Sequence, residues 1–148
     1  MDKGIADITI RKPARVGVVI DERPVLDSSA EFVRVSGCDL RVLAHRAAAA
    51  REDHPGVDVL ADIEVVIAEN PSSARRLVAE ADLDPPADTV RYVGTPAGLA
   101  GLLSDIHALG IADGALLWPL LPGTAELIGE RAFEAMHTMG ALPESRSA

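Results

Sequence analysis

Two helix starts constrain this chain more than any other feature. Asn70-Pro71 and Thr95-Pro96 each place a capping side chain before a proline at the first helical position. There the missing N–H costs nothing and the fixed φ already suits a helix. Each start follows an apolar, β-branched stretch, Val57 to Ala68 in one case and Thr89 to Val93 in the other. A strand that feeds a helix, repeated along the chain, is the pattern of parallel βα units.

The rest of the chain is read on that basis. Arg15 to Ile20 and Ala115 to Trp118 are short apolar runs expected to form buried strands. Asp21 to Asp27 reads as a loop broken by Pro24, and Ser28 to Ser36 as a short helix capped by Asp27 or Ser28 and closed by Gly37. Cys38 to Leu43 reads as another strand, and Ala44 to Asp53 as an Ala-rich helix that stops before His54-Pro55-Gly56. Leu99, Leu102, Leu103, Ile106 and Leu109 form an apolar stripe that Gly110 ends. Thr124 is expected to cap a last helix with Ile128, Ala132, Ala135, Met136 and Met139 on one face and Gly140 at its end. The expected organisation is an arm over 1–14, one α/β domain over 15–142 with four or five parallel strands, and a disordered tail over 143–148.

Composition and charge remove several classes of function. The chain has 148 residues, enough for one domain with a sizeable core. Aromatic residues make up only 3%, so a base-stacking surface is not expected. The net charge of −9 disfavours nucleic acid and anionic membranes as partners. The charge is uneven. Residues 1–51 hold nine Lys or Arg against seven Asp or Glu, and the other five basic residues stand against sixteen acidic ones. Cys38 is the one cysteine, which fits a reducing compartment, and no apolar run is long enough to span a membrane. A cytoplasmic location is expected.

No motif names a reaction. The sequence has no P-loop, GxGxxG, GxSxG, HExxH or CxxC. His45, His54, His107 and His137 are not paired at helical spacing, so no metal site is expected. Glu52-Asp53-His54 runs into Pro-Gly and reads as a solvated turn, and Cys38 reads as a small core residue. Three helix starts remain as anion sites: Asp27-Ser28-Ser29, Asn70-Pro71-Ser72-Ser73, and Pro122-Gly123-Thr124. A helix N-terminus offers free N–H groups and the positive end of its dipole. Ordinary capping explains each of them equally well.

Several motifs in order resemble one family. Val93-Gly94-Thr95-Pro96, then an amphipathic helix, then Leu109-Gly110-Ile111-Ala112-Asp113-Gly114, then Leu121-Pro122-Gly123-Thr124 is similar to the end of the luciferase-like flavin monooxygenases. The nearest flavour is the nitrilotriacetate and alkanesulfonate monooxygenase branch. Val65-Val66-Ile67-Ala68-Glu69-Asn70 also resembles that family, with Asn70 where Thr is usual, and so do Ser28-Ser29, Glu31-Phe32 and Asp39.

The resemblance implies a partial TIM barrel, because a whole one takes about 250 residues. It implies a truncated flavin-dependent oxidoreductase, with FMN or deazaflavin as cofactor and O₂-dependent monooxygenation carried by that cofactor. The flavin phosphate would lie at helix N-termini near Ser28, Ser29, Gly123 and Thr124, with Trp118 at the carboxyl end of the last strand, where a barrel ligand would lie. In the family the phosphate turn carries Gly before Ser, whereas Asp27 stands there in this chain. The alternative is a non-catalytic half-barrel, an assembly or regulatory subunit that forms a homo-oligomer or completes a complementary barrel subunit.

Overall fold

The computed structural model describes residues 13–138, so the arm (save its last two residues), the tail, Met139 and Gly140 lie outside the described residues. Strand β1 (Arg15–Ile20) turns into the short β2 (Arg23–Val25) through Asp21 and Glu22. Both turn residues have positive φ, 51° and 64°, which is the backbone a two-residue hairpin needs. Then come β3 (Phe32–Val35), α1 (Leu40–Asp53), β4 (Asp58–Ile67), α2 (Pro71–Ala81), β5 (Val90–Gly94), α3 (Pro96–Ala108) and β6 (Gly114–Pro119). A last helical run holds α4 (Thr124–Leu127), a π-helical segment (Ile128–Ala132) and α5 (Phe133–Thr138).

The βα units form as the caps predict. Asn70 Oδ1 accepts from the Ser73 N–H at 2.8 Å, and Thr95 Oγ1 from the Gly98 N–H at 3.1 Å. The Tyr92 hydroxyl accepts from the Thr95 N–H and sits where a Cβ on Gly94 or Gly98 would stand. Strand, turn and helix of the VGTP motif are thus locked as one piece.

The first third corrects the sequence reading. Residues 28–36 hold no helix; Phe32 to Val35 are a strand, as their alternating β-branched and aromatic side chains favour. Cys38 opens no strand. It is exposed, and the helix after it reaches back to Leu40 because Asp39 Oδ1 accepts from the Val42 N–H at 2.8 Å. Leu43 is thereby a fully buried helix residue. Leu109 lies beyond α3 and is 73% exposed, so the apolar stripe ends at Ile106.

Four parallel pairings and one hairpin build a curled half-barrel sheet. β1, β3, β4, β5 and β6 run parallel, and β2 returns antiparallel along β1. β6 lies between β1 and β4, pairing Gly17 with Leu116 and Glu64 with Trp118. The far edge of β4 carries β3 along its first half and β5 along its second.

Asp113 and Gly114 stitch the amino ends of three strands together. Asp113 exchanges backbone and side-chain bonds with Val59, at 2.8 and 2.7 Å, and its carbonyl accepts from the Arg15 N–H at 3.1 Å. A Cβ on Gly114 would overlap the Arg15 backbone. The DG turn is therefore a structural joint.

Side chains alternate across a strand, so the register sorts them onto two faces. One face carries Ala61, Ile63, Val65, Ile67, Ala115 and Leu117, buried under Leu43 of α1, Leu99, Leu103 and Ile106 of α3, and Ile128 of the last run. The opposite, inner face carries a smaller cluster of Val19, Leu60 and Leu116 with Leu26, Phe32 and Trp118 against it. Arg15, Arg34, Asp58, Asp62, Glu64 and Arg91 lie on this inner face.

Candidate functional site on the inner face

Parallel βα sheets gather ligands at the carboxyl ends of their strands. The structure places Trp118, Gly123 and Thr124 at that end, and Ser28 and Ser29 at the other. The reason is β2. Because it runs antiparallel to β1, the chain leaving Val25 enters β3 from the amino side of the sheet. Arg15 at the start of β1 then fixes the connecting loop, donating to the carbonyls of Ser28 at 2.9 Å and Ala30 at 2.6 Å. Its guanidinium also pairs with Asp58 at 3.1 Å and lies 5.2 Å from the centre of the Phe32 ring.

The two serines consequently begin no helix. Ser28 Oγ accepts from the Ala30 N–H at 3.0 Å, so the hydroxyl serves its own turn. Ser28 and Ser29 line an open recess of about 590 Å³ with Pro24, Leu26, Asp27, Ala30 and Phe32. The Asp27 carboxylate in its lining and the absence of a helix dipole make it a poor match for a phosphate. Gly123, not Thr124, caps the last helical run, with φ +89° and no side-chain bond. Thr124 is 2% exposed, out of reach of a ligand.

Trp118 lies near the carboxyl end of β6, the end the sequence reading gave it, and the register puts it on the inner face. Around it stand residues that reading missed. The Trp118 Nε1–H donates to Asp62 Oδ1 at 3.0 Å. Arg34 donates to the same carboxylate through Nε at 3.2 Å and Nη2 at 3.1 Å, while its guanidinium carbon lies 5.0 Å from the centre of the indole. One position along β4, on the same face, Glu64 accepts from Arg91 Nε at 2.9 Å. Three arginines thus stand against three carboxylates, in a chain whose overall charge is −9. The signal was present in the strands: Asp58, Asp62 and Glu64 occupy alternate positions of an otherwise apolar run, as Arg34 does in Phe32 to Val35.

An aromatic wall fits a planar ring, and an Arg34 fork that uses only Nε and Nη2 leaves Nη1 as a donor beside it. The helices α2 and α3 begin beyond the carboxyl ends of β4 and β5, each with one of its first N–H groups taken by its own cap, Asn70 or Thr95. Among the described residues, no group of three or more His, Cys, Asp or Glu is placed to hold a metal ion. No described helix is long and apolar enough to cross a membrane.

These features define a partial βα barrel with an open inner face. No protein-family model matches the chain, and neither does any curated protein. Solved structures do. EDTA monooxygenase (EmoA) from Chelativorans sp. BNC1 superposes with a TM-score of 0.61 at 20% identity, over 78% of this chain and 43% of its own. Riboflavin lyase (RcaE), solved with modified FMN and riboflavin, gives 0.64 at 16% identity over 80% and 41%. Long-chain alkane monooxygenase (LadA) gives 0.59 at 15% identity over 80% and 39%. The fold is shared, and the chain spans about two fifths of each of these structures.

Proposed function

We propose that the chain is a homologue of the luciferase-like flavin-dependent oxidoreductases, of the nitrilotriacetate and alkanesulfonate monooxygenase kind. In this reading its inner face forms one wall of a flavin pocket. The observation that carries it is the placement of Trp118 with Arg34 at the carboxyl end of a half-barrel whose fold recurs in two monooxygenases and a riboflavin lyase. FMN, or a deazaflavin, would supply the redox chemistry. The residues of this chain would hold and shelter its ring, with Trp118 as the flat contact and Arg34 Nη1 as a donor to ring oxygen or nitrogen. Ser28 and Ser29 have no part in it, since they sit at the far end of the sheet.

Equilibrium binding of FMN to the wild type and to Trp118→Leu tests this. Saturable one-to-one binding that weakens by about ten-fold in the variant, the loss of roughly one stacking contact, is expected. Equal binding by both proteins would remove the site assignment, and no binding by either would remove the flavin.

A second reading rests on the same face. No described helix covers it, so it can meet a complementary half-barrel, from a second copy or another chain. The account then becomes that of a non-catalytic assembly subunit. Light scattering across a concentration series distinguishes the two: a monomer throughout speaks against pairing with itself.

A further inference from the structure

The register places Glu64, not Asp62, directly across from Trp118. The indole nevertheless leans back along β6 to Asp62, the partner of Leu116, and packs over Val19, Leu60 and Leu116. An indole in this place could take other rotamers toward Glu64 or solvent. Three contacts close it into one: its own N–H on Asp62, the two-pronged bond from Arg34 to Asp62, and the guanidinium against its ring. Asp62 accepts all three bonds with a side chain only 14% exposed, whereas Arg34 remains 43% exposed. An ion pair this open contributes little to stability by itself. Its geometric effect is larger, because the carboxylate must stay where both donors need it and the indole cannot rotate without giving up a bond.

We infer that Arg34 and Asp62 are positioning residues, which hold the Trp118 indole in one orientation on the inner face as a preset contact for a planar ligand. Glu64 and Arg91 satisfy each other and so leave Asp62 to Trp118 and Arg34. That the ligand is a flavin rests on the reading above; that the indole is held does not.

Trp118 is the only tryptophan, so its fluorescence reports on this contact alone. Asp62→Leu removes the acceptor of all three bonds, Asp62→Asn keeps an oxygen for the indole N–H, and Arg34→Met removes the guanidinium from the ring. Acrylamide quenching of Trp118 should rise and its emission shift to the red in Asp62→Leu, and Asp62→Asn should restore most of the wild-type behaviour. Identical quenching in Asp62→Leu and wild type would overturn the proposal. Should Asp62→Leu fail to fold, Arg34→Met decides: higher quenching supports positioning, and unchanged quenching contradicts it. With FMN as the probe, Asp62→Leu should bind about five- to ten-fold more weakly, the effect of one lost hydrogen bond. FMN binding that depends on Trp118 yet is unchanged in Asp62→Leu would overturn the positioning role and leave the flavin reading standing. A wild type that does not bind FMN would end the flavin reading, with the acrylamide comparison still deciding whether the indole is held.

Discussion

The two faces of this one sheet are built on different principles. The helix-covered face is apolar wherever the strands meet α1, α3 and the last helical run, and its central residues are fully buried. The inner face sets an apolar cluster around Leu60 and Leu116 between ion pairs at both ends of the strands, with each of its arginines answered by a carboxylate. Close packing of apolar groups supplies stability in proportion to the area buried. Hydrogen-bonded ion pairs offset much of their attraction by the cost of desolvation but fix directions. The covered face accordingly holds the fold, and the inner face holds a geometry.

Substitutions on each side can break that contrast. The largest loss is expected on the covered face: Leu99→Ala should cost about 2–5 kcal/mol in urea unfolding, since it empties a fully buried site in the helix-covered core. At the joint between faces, Gly114→Ala should cost about 1–3 kcal/mol or more, because the new methyl has backbone in its way and not a flexible side chain. Asp113→Ala should follow at about 1–3 kcal/mol, leaving the Val59 N–H without its side-chain acceptor. On the inner face, Arg91→Met should cost about 1–3 kcal/mol, since it leaves the partly buried Glu64 carboxylate without its partner. Ser29→Ala should change neither stability nor FMN binding, given its exposed place at the amino end. An inner-face substitution that proved as costly as Leu99→Ala would erase the distinction.

The parts of the molecule legible in sequence were those with local causes. Asn70-Pro71 and Thr95-Pro96 start helices because the cap and the proline act within one turn, and both appear where expected. The VGTP and DG motifs also held their places, but as joints: Tyr92 fills the space beside Gly94, and Asp113 ties Val59 and Arg15 together. The hairpin at Asp21 and Glu22 gave no such signal, since neither residue is the Asn or Gly that positive φ favours. Missing it reversed the direction of the following segment and moved Ser28 and Ser29 to the wrong end of the sheet. Trp118 was found because it closes a strand. Arg34 and Asp62 were not, because what joins them is the pairing of β3, β4 and β6, and no spacing in the sequence encodes a register between strands 28 residues apart.

The central claim is that the inner face around Trp118 receives a flavin. Titrating FMN while following Trp118 emission tests it most directly, because this indole is the one such reporter and lies on that face. The account predicts saturable quenching at micromolar FMN, with the midpoint moved to about five- to ten-fold higher FMN when Asp62→Leu releases the indole. Quenching that only grows in proportion to FMN, with no saturation, would contradict it.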